Sequence, residues 1–232
     1  LKKAILILIL LAFATQSNSQ SLFLNFGNTY LHTVTVQPPL FESNSVNNSE
    51  YFSVEFQYPL KKRFILNTEF SKFNGWSDFD IQDGDGWGFG SAWVELYRVL
   101  PKIGYNIFPD HKRIKVYPIA ILGIEFSKPT SNDGITAFVD KRTSEDFEGT
   151  VSVRVEKRTQ VLPGLGLSFD WNPFWKIQLQ VQGYYTFGFK EFQAMQLDYS
   201  YKGVPQTPGI WSSRGDGLIL YAGIGFRLWD SD

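Results

Sequence analysis

Residues Leu218 to Leu228, LILYAGIGFRL, constrain the fold more than any other stretch, because apolar residues recur at every second position without a break. Leu218, Leu220, Ala222, Ile224, Phe226 and Leu228 fall on one side of a period-two strand, and Ile219, Tyr221, Gly223, Gly225 and Arg227 on the other. An apolar face backed by a mixed, glycine-containing one suits the wall of a membrane barrel with lipid outside and a filled lumen inside.

The same alternation returns along the chain. Leu22, Leu24, Phe26, Tyr30, Val34 and Val36 oppose Asn25, Gly27, Thr29 and Thr33, which makes strand one. Phe52, Val54, Phe56 and Tyr58 oppose Ser53, Glu55 and Gln57; after a tight connection, Phe64, Leu66, Thr68 and Phe70 oppose Ile65, Asn67, Glu69 and Ser71, so strands two and three form a hairpin. Strand four is expected over 93–107, with Val99, Ile103, Tyr105 and Ile107 outward and Arg98, Lys102, Gly104 and Asn106 inward. Pro101 within it predicts a bulge or a missing ladder bond. Strand five is expected over 114–126, its facing set by an inward Glu125. Residues 151–169 hold one phase for a span far longer than the 9–11 residues a membrane strand needs, so the charged half with Arg154, Glu156 and Arg158 should project beyond the bilayer. Strand seven runs over 175–187, with Ile177, Leu179, Val181, Tyr185 and Phe187 outward and Gln178, Gln180, Gln182, Tyr184 and Thr186 inward.

The count is eight strands, joined by short turns near 59, 109 and 171 and by polar loops over 38–50, 74–91, 127–149 and 188–217. Short and long connections alternate strictly, as they do in a membrane barrel with both termini on one side. Trp171, Trp175 and Trp229 fall at the short-turn end, and Trp93 and Trp211 at the long-loop end, as two interfacial belts would. The expected fold is therefore all-β: an eight-stranded antiparallel up-and-down transmembrane β-barrel over residues 20–232. Residues 1–19, with Lys2 and Lys3 before an apolar run, read as a secretory signal peptide. A mean hydropathy of -0.17 suits barrel strands that are half polar. A net charge of -1 gives no electrostatic case for nucleic acid, and the absence of cysteine excludes disulfides and thiolate sites.

This architecture resembles the small outer-membrane barrels of the OmpA/OmpX type, and Gly223, Phe226 and Leu228 resemble the terminal signal read by the barrel-insertion machinery. The resemblance implies the outer membrane of a Gram-negative bacterium, contact with outer-membrane lipid, and an interior charge network.

By facing, Glu55, Glu69, Arg98 and Lys102 point into the lumen. Buried charges must be paired, so they read as a structural network, with Glu69 and Arg98 expected to meet; a gated ion path is the alternative. Asp78, Asp80, Asp83 and Asp85 offer hard oxygen ligands in an acidic loop, without the spacing of an EF-hand. No cofactor is expected. His32, on the lipid side, and His111, in a short turn, are the two histidines, and neither shows nucleophile–base spacing. Arg214, Gly215 and Asp216 form an integrin-type tripeptide beside the last strand. Val151, Val153, Arg154, Glu156 and Arg158 are the expected contact surface for a partner. The function expected is a structural or surface-interaction barrel working through its outer loops, without a channel. The alternatives are a lipid-modifying enzyme, such as a lipid A acyl hydrolase or transferase, or an accessory subunit of a secretion or uptake complex.

Overall fold

The structure, a computed structural model, describes residues 20–37, 42–60, 63–83, 86–111, 113–127, 131–136, 138–139, 147–155, 158–174, 176–191, 193–201 and 203–228. Its strands are β1 (Ser21–Gln37), β2 (Glu42–Pro59), β3 (Phe64–Asp83), β4 (Gly86–Tyr105), β5 (Ile114–Ser127), β6 (Ser131–Thr136), β7 (Phe138–Val139), β8 (Phe147–Val155), β9 (Arg158–Trp171), β10 (Ile177–Thr186), β11 (Gln193–Tyr201), β12 (Val204–Pro205) and β13 (Gly209–Arg227). Eight of them, β1, β2, β3, β4, β5, β9, β10 and β13, close an antiparallel barrel in which β13 returns to β1. Closure pairs the backbone of every wall strand on both sides, which a spanning sheet in lipid requires.

The register fixes the barrel's tilt. From Leu31 the cross-strand partners run through Gly217, Thr186, Gly164, Ile121, Lys102, Asn67 and Gln57 to Ser21, ten residues lower on the strand where the circuit began. A stagger of that size inclines the strands by roughly 40°. The short-turn rim is laced together: Asn106 N donates to Arg63 O (2.6 Å), Asn172 N to Arg113 O (2.8 Å), Arg227 N to Lys176 O (3.0 Å) and Leu228 N to Gln20 O (2.8 Å).

Side chains alternate strictly across the wall. Phe26, Leu122, Leu165, Leu167 and Val181 are 58–65% exposed, whereas Asn25, Leu100, Leu162, Gln180 and Ile219 are at most 1% exposed and turn inward. A continuous apolar belt around the whole circumference has its place in lipid, not in water. Pro101 behaves as its chemistry demands. The β4–β5 ladder skips from Val99↔Ile124 to Lys102↔Ile121 without changing register, so a bond is lost and no bulge forms.

The long connections differ from the expectation of loops. Residues 42–50 belong to β2, 74–83 to β3, 86–91 to β4, and 209–217 to β13; the stretch 127–149 holds β6, β7 and the start of β8, and 188–217 holds β11 and β12. Their composition is polar because strands continued above the bilayer have water where lipid would be, so alternation ceases to mark them. β3 and β4 are each 20 residues long, about twice the membrane requirement.

Above the bilayer the wall divides. The β1–β2 pairing ends at Leu31↔Asn47 and the β4–β5 pairing at Leu96↔Ser127. Beyond those points β2, β3 and β4 stay together, with β7 added at Gly88↔Val139. The second ribbon is β1–β13–β11–β8–β6, with β12 on β11.

Candidate functional site

The lumen is filled in three tiers. In the middle one, β4 turns Lys102 into the centre, where its ammonium meets Glu55 Oε2 (2.7 Å) from β2, Glu69 Oε2 from β3, Gln182 Oε1 from β10 and Tyr221 Oη (2.8 Å) from β13. The Tyr221 hydroxyl lies 2.9 Å from each of the two carboxylates, and Tyr184 donates to Glu69 Oε1 (3.0 Å) while sharing a bond with Tyr51 (2.8 Å). Asn67 completes the tier by donating to Glu55 Oε1 at 2.7 Å. Lys102 also sits 4.7 Å from the Tyr184 ring centroid and 5.3 Å from that of Tyr221. Five strands thus converge on one buried cation, which is how a charge survives in a dry interior.

The lower tier centres on Asp170, 2% exposed, which accepts from Gln57 (2.9 Å), Ser168 (3.0 Å) and Gln180 (3.2 Å). The upper tier centres on Arg98. The β4–β5 register places Glu125 directly opposite it, and the pair closes at 2.7 Å. Arg98 Nη2 also donates to the Gly215 carbonyl (2.8 Å), and Gln160 Nε2 donates to Glu125 Oε1 (2.6 Å) and the Arg214 carbonyl (2.8 Å).

Those two carbonyls belong to a bulge in β13. Leu31 pairs with Gly217 but Thr33 with Ser213, so four residues of β13 match two of β1. Gly215 has φ of 79°, and a Cβ there would lie 2.7 Å from Gln160 Nε2 and from Glu125 Oε1; only glycine fits both the conformation and the space. Gly188 holds the bulge from the β10 side, since a Cβ there would come within 1.9 Å of the Arg214 carbonyl. Arg214 and Asp216 continue the outward phase of Leu218 and Leu220 on β13, on the opposite side from Gly215. There Asp216 Oδ2 accepts from Tyr185 Oη (3.2 Å) and lies 3.5 Å from His32 Nδ1.

All four residues expected in the interior network, Glu55, Glu69, Arg98 and Lys102, are buried in the lumen, but their pairing departs from expectation. Glu69 pairs with Lys102, and Arg98 with Glu125, because the register sets Arg98 against Glu125 on one side and Ser71 on the other. Glu125, Gln160 and Tyr221 complete the tiers and were legible only as inward-phase residues, while Asp170, expected in the short turn, belongs to the end of β9.

Trp211 corrects the belt assignment. It is fully buried, on the same side of β13 as Ser213 and Gly217, and does not face a membrane boundary. Trp171 is 43% exposed at the short-turn end; Trp175 and Trp229, and the side chain of Trp93, lie outside the described residues. That rim has a further anchor in Arg63, which donates to Tyr105 Oη and lies 5.9 Å from its ring centroid, with Phe64 edge-on beside it. The acidic stretch is not a loop: Asp78, Asp80 and Asp83 are on β3, and Asp85 lies outside the described residues. Val151, Val153 and Arg154 are on β8 and Glu156 lies outside the described residues. Arg158 departs from the expected outer face: it donates to Gln160 Oε1 (2.8 Å) and the Glu191 carbonyl, in the inward phase of β9. His111 accepts from Ile114 N (2.9 Å), a turn-capping role.

Closed wall, lipid-facing belt, filled lumen and short-turn rim together define a small eight-stranded transmembrane β-barrel, the architecture expected of an outer-membrane barrel. No family model and no curated protein matches the sequence. Among solved structures the chain is similar to the N-terminal β-barrel domain of Pseudomonas aeruginosa OprF (10% identity, 91% of this chain and 98% of that one, TM-score 0.44). It is also similar to the attachment invasion locus protein Ail of Yersinia pestis (11%, 90% and 100%, 0.41) and the outer membrane protease OmpT of Escherichia coli (9%, 93% and 99%, 0.45). These are likenesses of architecture and assign no activity.

Proposed function

We propose that the protein is a surface-interaction barrel that binds a macromolecular partner through the strands above the bilayer and does not conduct. One observation carries this reading: the wall continues well past the membrane and there divides into two ribbons. Among the described residues, β1 and β2 have no ladder pairing with each other beyond Leu31 and Asn47, β4 and β6 have none with each other, and β7 covers the β4 edge only at Gly88 and Phe89, which leaves strand edges open to an added strand. Such edges pair readily with an added strand, and an alternating surface supplies selectivity. The three interior tiers support the absence of a channel, since an eight-stranded lumen is filled by side chains of this size. Planar bilayers containing the protein should show no large steady conductance.

Replacing residues 131–155 by a short Gly-Ser connection tests the reading, and leaves Arg158 in its interior bonds. Heat-shifted mobility in detergent should persist while adhesion or partner co-purification is lost; retained binding would contradict it. A lipid-modifying enzyme is the lesser reading. Ser213, beside His32 across the bulge, is buried and donates to the His32 carbonyl (3.1 Å), an arrangement that lends this reading no support.

A further inference from the structure

We propose that Arg98 and Gln160 are positioning residues that fix, from inside the lumen, the angle at which the second ribbon leaves the wall. The two ribbons join the barrel differently. The first continues the wall without a change of register, since the β3–β4 ladder runs unbroken from Phe64↔Tyr105 to Asp83↔Gly86. The second hangs on β13, whose wall pairings end at Gly217, with Leu31 and Thr186, and whose ribbon pairings begin at Ser213, with Thr33 and Gln193. Among the described residues, 214–216 have no register partner on either side. β1, the other strand shared by wall and ribbon, loses its β2 partner at the same level, after Leu31↔Asn47.

A ladder interrupted in this way is a pivot unless something holds it, and its carbonyls need donors from elsewhere. The lumen supplies both. β4 stands four strands from β13 in either direction round the eight-stranded wall, so Arg98 crosses the lumen to donate to the Gly215 carbonyl (2.8 Å). Gln160 on β9 donates to the Arg214 carbonyl (2.8 Å), and Glu125 on β5 accepts from both, at 2.7 Å from Arg98 and 2.6 Å from Gln160. Side chains of three wall strands, each at most 7% exposed, thus grip two consecutive carbonyls of the pivot. On the other face Tyr185 of β10 donates to Asp216 (3.2 Å). Gln160 is held in turn by Arg158 (2.8 Å), which also donates to the Glu191 carbonyl, and Glu191 accepts from the Ser212 hydroxyl (3.1 Å) at the foot of the ribbon.

The consequence is order at a distance. Among the described pairings β11 is laddered to β13, β8 and β12, and β8 to β11 and β6, so no ladder joins these strands to the wall except through β13 and the facing stretch of β1. A contact surface keeps its geometry when the shell beneath it is locked by packed, hydrogen-bonded side chains. This role deepens the reading of the outer strands as a contact surface, yet it is measured without a partner, so either can fail while the other stands.

The test uses the whole protein in nanodiscs, with pairs of nitroxides on introduced cysteines and the distances between them read by double electron–electron resonance. A label at exposed Leu122 on β5 is paired with one at exposed Gln196 on β11 to report the ribbon, and with one at exposed Phe26 on β1 to report the wall. The wild type should give a narrow distribution for each pair. Arg98→Met with Glu125→Gln removes the tie without leaving an unmatched charge, and should broaden the ribbon distribution or shift its maximum while the wall distribution stays as it was. Gln160→Met takes the donor from the Arg214 carbonyl and should broaden the ribbon distribution less. Lys102→Met loosens the middle tier without touching the bulge and should leave the ribbon distribution at its wild-type width; heat-shifted mobility reports folding of each variant. A ribbon distribution unchanged by Arg98→Met with Glu125→Gln and by Gln160→Met would overturn the proposal. Equal broadening in Lys102→Met, or a matching change in the wall pair, would overturn it too, because general loosening would then explain the effect.

Discussion

Arg98 and Glu125 face each other directly across β4 and β5, with Arg98 Nε and Nη2 each 2.7 Å from Glu125 Oε2 and both residues at most 2% exposed. A buried pair of this kind is costly to break and much less costly to remove. Glu125→Ala leaves the guanidinium in the lumen without its acid and should cost about 3–5 kcal/mol of stability. Arg98→Ala with Glu125→Ala should cost less than the two single changes added together, with a coupling of about 1–3 kcal/mol in urea unfolding from micelles. Additive losses would mean that the pair does not form.

The middle tier makes a second prediction with the same logic and a different sign of stranded charge. Lys102→Met removes the cation that Glu55 and Glu69 share and should cost about 3–5 kcal/mol. Adding Glu55→Gln and Glu69→Gln removes the repelling carboxylates, and most of the loss should return in the same unfolding measurement. A triple variant as unstable as Lys102→Met would show that packing around Met, not uncompensated charge, sets the loss.

Depth along β9 provides a third. Leu165 is 64% exposed in the middle of the lipid-facing belt, whereas Thr159 stands six residues higher, near the polar boundary. Leu165→Arg should destabilise by about 2–4 kcal/mol and Thr159→Arg by about 0–1 kcal/mol. Equal penalties, read from equilibrium unfolding in lipid vesicles, would place the belt elsewhere.

Within the bilayer the wall was legible because lipid on one side and a packed lumen on the other impose opposite chemistry on successive residues. Phe52, Val54 and Phe56 against Ser53, Glu55 and Gln57 could be read in only one phase. Above the bilayer both faces meet water, so the outer parts of β2, β3, β4 and β13 lose that contrast and look like loops. Pairing inside the lumen failed for a different reason. Facing can be read from one strand, but who meets whom depends on stagger between strands, and the acid nearest Arg98 is on β5, whose register the sequence left open. Trp211 was misplaced because tryptophan at a barrel's end usually marks the interface, and nothing local distinguishes one that fills the interior. The bulge at Gly215 left one trace, a glycine between two charged residues, which also fits an ordinary turn.

The most direct measurement is a nitroxide scan along Ile177–Thr186, feasible because the chain contains no cysteine. Labels at Ile177, Leu179, Val181 and Tyr185 should collide freely with oxygen dissolved in lipid and little with an aqueous nickel chelate. Labels at Gln178, Gln180, Gln182 and Tyr184 should be protected from both, which yields a period of two with a dry, filled lumen. Nickel access at the even positions would contradict the filled lumen, and nickel access at the odd ones would contradict a membrane barrel.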